Sequence, residues 1–116
     1  MTMAITLSDT TFWIRKSWLV AAVLDRAVVE VSEPALKDFI TEARWSGGLS
    51  VSLWPSDDGR NALVEGLVRA CEWLLSSNEH LRDARGSSAE TPEYILQGAR
   101  SSIAQLLGLA KDQLIE

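Results

Sequence analysis

The stretch DDGRNALVEGLVRACEWLLSSNE, residues 57–79, decides how the chain is read. Leu63, Val64, Leu67, Cys71, Leu74 and Leu75 recur at helical spacing and form one apolar side. Asp58, Glu65, Glu72 and Glu79 stand seven residues apart. Seven residues is nearly two turns, so four carboxylates on one helix make a column that drifts only about 20° per heptad. The stretch predicts a helix with one flank for the core and the other for solvent or a partner. Ser56 is its cap, and Asp57 and Asp58 complement the positive end of the macrodipole. The pattern carries the helix to at least Ser77 and as far as Arg85. Ala62, Gly66 and Ala70 make a smooth strip at spacing four. A glycine inside a helix costs about 1 kcal/mol relative to alanine, so a neighbouring helix is expected to press against that strip.

Upstream, Asp9 or Thr10 can cap a helix over Thr11–Val31. Phe12, Leu19, Val20, Val23, Leu24, Ala27, Val28 and Val31 supply its apolar stripe. Trp18 and Val29 widen that stripe. Ser32-Glu33-Pro34 restarts the chain as a second helix over Glu33–Trp45, which Gly47-Gly48 end. Leu49-Ser50-Val51-Ser52-Leu53 alternates strictly and predicts a strand with one exposed face. A lone strand leaves its ladder groups unpaired. Either Ala4–Leu7 or the same strand of a second copy could pair with it.

Downstream, Gly86-Ser87-Ser88-Ala89-Glu90 reads as a flexible loop. Thr91-Pro92-Glu93 then opens a last helix: cap, proline at the first position, acid at the next. Its stripe is Ile95, Leu96, Ala99, Ile103, Leu106, Leu107, Ala110 and Leu114, with Gly98 and Ser102 as a second small-residue notch. No internal repeat is visible. The fold class predicted is mainly α: a compact bundle of about four helices with a short β-strand or two-stranded ribbon, in one domain over residues 1–116.

A chain of 116 residues that is 47% hydrophobic can build a real core. Its net charge is −5. Between Pro55 and Glu93 eight acids face four bases, a balance that repels phosphate backbones and favours a basic protein partner. One cysteine allows no internal disulfide. The longest apolar run, Trp18–Leu24, is too short to cross a membrane. Met1–Phe12 has no basic residue and does not read as a signal peptide, so the cytoplasm is the expected location.

No constellation for catalysis emerges, and the chain is expected not to be an enzyme. Zinc needs several Cys, His or carboxylate ligands, and there is one Cys and one His. Cys71 falls on the apolar side of its helix, where it reads as core, and His80 reads as a surface residue. Asp57-Asp58-Gly59 lacks the alternating ligands of a calcium loop. Serines occur without a nucleophile elbow, and Gly47-Gly48 is no phosphate cradle. Carboxylates seven apart on one helix are separated by roughly 10.5 Å of rise, too far to act on one bond. Neither cofactor nor metal is expected.

What remains is recognition. The first expectation is a protein-binding module, most concretely an inhibitor or immunity-type protein that blocks a basic partner such as a nuclease toxin. Asp58, Glu65, Glu72 and Glu79 would bind that partner, with Trp73 on the flank as an aromatic anchor. The second is a self-associating structural or regulatory subunit, a homodimer through Leu49–Leu53 or the Trp-rich first helix. The third is a small-molecule pocket between helices.

Overall fold

The chain opens on a β-hairpin where the sequence pattern predicts a helix. The computed structural model describes residues 1–86 and 91–114. Strand β1 (Thr2–Thr6) runs antiparallel to β2 (Phe12–Lys16), in register from Thr2↔Lys16 to Thr6↔Phe12. The turn between them closes where the N–H groups of Leu7 and Ser8 donate to the Thr11 carbonyl at 2.8 and 3.2 Å. Asp9 and Thr10 sit exposed at its tip and cap nothing helical.

The helix expected over Thr11–Val31 is therefore split. Residues 12–16 alternate: Trp13 is buried, while Phe12 and Ile14 are exposed. That is a two-residue period in β-branched and aromatic side chains, and it outweighs the helical stripe that begins only at Leu19. Helix α1 (Ser17–Glu30) follows directly, with Leu19, Val20, Val23, Leu24 and Ala27 buried as the stripe implies. Val29 is exposed.

Helix α2 (Pro34–Ser46) buries Leu36, Ile40 and Ala43. Gly47 ends it in the left-handed region, at φ 104°, where a side chain would be strained. The chain then forms β3 (Gly48–Ser50), which pairs parallel to β1 through Ala4↔Gly48, Ile5↔Leu49 and Thr6↔Ser50. The lone strand thus finds its partner within the chain, and the sheet order is β2-β1-β3. β3 is shorter than the alternation over 49–53 predicts. Val51–Leu53 wind into one 3-10 turn, which the Trp54 N–H closes on the Val51 carbonyl at 3.1 Å. Leu49 and Val51 stay buried and Leu53 swings out.

Helix α3 (Asp57–Leu75) starts as expected, with Ser56 Oγ accepting from the Gly59 N–H at 3.0 Å. It stops earlier than expected. Ser76 Oγ donates to the Trp73 carbonyl, and Ser77, in extended conformation, caps a separate helix α4 (Asn78–Arg85) by accepting from the Glu79 N–H. Two adjacent serines offer the backbone alternative hydrogen bonds, and the single rod breaks there. Helix α5 (Glu93–Gln113) buries Leu96, Ala99, Ile103, Leu106 and Ala110. Pro92, not Thr91, takes its cap position, and no side chain caps it. The loop read over 86–90 lies, beyond Gly86, outside the described residues.

The described residues are mainly α, with five α-helices and a three-stranded sheet, where about four helices and a smaller β element were expected. α3 lies between α1 and α5. At Gly66 the end of α1 approaches α3: a Cβ there would stand 2.7 Å from Cγ1 of Val31, the cap residue of α1, and 3.7 Å from the Ala27 carbonyl oxygen, so the strip of small residues does serve a helix contact. Gly98 has nothing within 4 Å of such a Cβ, so it makes no notch for a neighbour. The inner face of the sheet (Ile5, Trp13 and Leu49) joins the helices in one continuous core. No described helix is long and apolar enough to cross a membrane.

Candidate functional site

Asp58, Glu65 and Glu72 are exposed on α3, opposite Leu63, Leu67, Cys71 and Leu74, which are buried. Three of the four carboxylates thus share one rigid element, with roughly 10.5 Å of rise between neighbours. Glu79 does not continue the column. The break at Ser76–Ser77 moves it to the first turn of α4, where it pairs with Arg82. Arg69, exposed between Glu65 and Glu72, forms no ion pair with either among the described residues.

The acidic surface also extends sideways. A shallow depression of about 90 Å³ is lined by Glu30, Glu33, Glu65 and Arg69. Glu30 comes from the end of α1 and Glu33 from the start of α2, brought beside Glu65 because Gly66 lets α1 approach. Sequence reasoning missed Glu30 and Glu33 as neighbours of the column. The small-residue strip next to Glu65 was the signal, but it does not say which helix fills it.

Trp73 is half-buried, and both its faces are taken. The His80 ring stacks on it with 3.5 Å between centroids and 6° between planes. The Arg26 guanidinium lies 4.2 Å from the indole centroid. Two groups that close to one centroid must occupy opposite faces. His80 Nδ1–H donates to the Trp73 carbonyl at 2.8 Å; the carbonyl can only accept, which puts the ring proton on Nδ1. The stack joins α1, α3 and α4, and only the edge of the indole remains for a partner. Comparison of the chain with protein-family models, curated proteins and solved structures finds no match.

Cys71 lies in the core, as its place on the apolar side implies. Burial first, and the neighbouring Glu72 charge second, push its pKa up to about 12. A protonated, buried thiol is neither nucleophile nor ready metal ligand. Among the described residues no group of three or more His, Cys, Asp or Glu is placed to hold a metal.

The thiol does affect stability. In the unfolded chain a cysteine ionises near about 8.5. Below that pH both states hold the proton and the contribution is fully present. Above it the unfolded chain gives up a proton that the folded chain keeps. Folding stability then falls with rising pH, by at most about 1.4 kcal/mol per unit, until the folded thiol ionises as well. Urea unfolding of the native chain and of Cys71→Ala at pH 7.5 and 10.5 should show the native chain losing more stability. Equal losses would mean that Cys71 reaches solvent.

Proposed function

We propose that the chain is a protein-binding module that offers carboxylates on α3 to a basic partner. The observation that carries this reading is the exposure of Asp58, Glu65 and Glu72 along a helix of 19 residues whose other side is core. Carboxylates fixed on a rigid element speed encounter with a cationic groove and set its register. Glu33 broadens the same field, while the charge of Glu30 is met by Arg26 at 3.4 Å. The most concrete partner is a nuclease-type toxin. Its substrate surface must be positive, and an acidic helix can lie where the phosphates would. Glu79 contributes less than the sequence pattern suggests, because its charge is spent on Arg82 and on the N-terminal end of α4.

Glu65→Lys and Glu72→Lys should leave folding nearly unchanged, since substitutions at exposed positions usually fall within about 0.5 kcal/mol. Combined, they should slow association with the partner by about tenfold or more at low salt, and by less as salt screens the charges. Affinity capture from the native host, with the native chain and the double variant as baits, tests this by mass spectrometry. Basic proteins retained by the first and lost by the second support the reading. Equal recovery sinks it.

Self-association is a second reading, favoured by a different surface. β2 is an edge strand, and Phe12 and Ile14 on its outer face are 60% and 47% exposed. Such an edge can pair with a second copy. It suits that role better than Leu49–Leu53, which is a strand only as far as Ser50. The Arg15 guanidinium already donates to the Ile14 carbonyl at 2.6 Å, which blunts the edge. Light scattering that shows a dimer, abolished by Phe12→Lys, would favour this reading over the first.

A further inference from the structure

A second surface carries the opposite charge. A cavity of about 360 Å³ opens where β2 runs into α1, beside the end of α4 and the start of α5. Arg15, Lys16 and Arg85 line it, and no acid does among the described residues. Three of the chain's 11 bases thus meet at one concave place in a protein of net charge −5. None of the three forms an ion pair among the described residues. Arg15 is held in place by neutral acceptors: Ser102 Oγ at 3.1 Å, the Ile14 carbonyl and Gln105. Its position is fixed, and no acid among the described residues pairs with its charge.

Two helix starts border the cavity. Lys16 is the cap residue of α1, and Trp18 lies in its first turn; Tyr94 lies in the first turn of α5. Neither helix has a side-chain cap, and α1 has no acid in its first turn. The positive end of the α1 macrodipole therefore stands at the cavity unopposed, whereas Glu93 in the first turn of α5 offsets that helix's contribution. The remaining lining is flat or apolar. Trp18 and Tyr94 offer aromatic surface, and Gly98 leaves the α5 side open. This volume, with apolar walls and a few convergent cations, is that of a small-molecule site.

We propose that this cavity binds a compact organic anion: a carboxylate or phosphoryl group, met by Lys16 and Arg85, on a flat body that lies against Trp18 and Tyr94. The inference does not depend on the acidic face of α3, which lies on other residues.

Sodium benzoate and phenyl phosphate are the probes. Benzyl alcohol supplies the ring without charge, and inorganic phosphate supplies charge without the ring. In amide-resolved NMR titrations of the full chain, at least one of the two anions should shift Trp18, Tyr94 and Gly98. Both controls should bind at least about tenfold more weakly. A response to benzoate alone identifies a carboxylate site, and a response to phenyl phosphate alone a phosphoryl site. Lys16→Glu combined with Arg85→Glu should weaken binding by about tenfold or more. Gly98→Leu should fill the cavity and abolish binding without lowering Tm, because leucine is the better helix former and its Cβ meets open space. The proposal is overturned if neither anion shifts these residues, if either control binds as well as the anions, or if a folded Gly98→Leu or charge-reversed variant binds normally.

Discussion

Gly48→Ala should lower the unfolding free energy by about 3 kcal/mol, through two separate costs. Gly48 sits at φ 154°, a backbone conformation that L side chains rarely adopt. A Cβ there would also overlap the carbonyl oxygen of Ala4, its partner in the parallel pair. Backbone cannot step aside as a flexible side chain can, so β3 would have to part from β1. Gly47→Ala provides the control. Its φ is also positive, but nothing lies within 4 Å of the added Cβ, so only strain is charged, about 1–2 kcal/mol. Denaturant unfolding of both variants measures the two costs. Hydrogen exchange at Leu49 should accelerate more in Gly48→Ala than in Gly47→Ala. If the two variants were equally stable, the close β1–β3 approach would be wrong.

Trp13→Ala should cost about 3–5 kcal/mol, the range for removing a large buried aromatic. Trp13 is 1% exposed, and its Nε1–H donates to the Ser102 carbonyl at 3.0 Å, bridging 89 positions of sequence. Trp13→Phe should cost less. It keeps most of the apolar contact and gives up one hydrogen bond, worth about 1 kcal/mol net. The experiment also decides between two descriptions of residues 11–16. In a helix over Thr11–Val31, Trp13 falls off the apolar stripe and its loss would be mild. In the hairpin it is core. A mild effect of Trp13→Ala, measured by thermal and urea unfolding, would count against β2.

The helices α2, α3 and α5 were legible because each combines a start signal with a long apolar stripe. Ser56 and Pro34 mark their positions from local chemistry alone. β2 was not legible, because Phe12 fits a helical stripe as well as an alternating strand. Five residues cannot separate the two periods when a strong helix follows without a gap. The parallel pairing of β3 was only one of two possibilities in the sequence, since strand alternation names a face and not a partner. The break after Leu75 was hidden for a related reason. The heptad spacing of acids continues to Glu79, while the serines that interrupt it act through backbone hydrogen bonds. Three carboxylates of the candidate face could therefore be placed from sequence and the fourth could not. The basic cavity was out of reach. Its lining comes from residues 15–19, 85 and 94–102, and only the folded chain brings them together.

The bond between Trp13 and Ser102 has a consequence for how the chain comes into being on the ribosome. The hairpin emerges early, but the wall on which its indole rests is made much later. Until α5 is translated, the Trp13 N–H lacks its acceptor and α3 lacks the helix that packs on it, so a nascent chain displays uncovered apolar surface. Such intermediates are what chaperones bind. Native structure should therefore arrive in one late step once residues beyond Ser102 clear the exit tunnel, and truncated chains that stop before α5 should be protease-sensitive from their first strand onward.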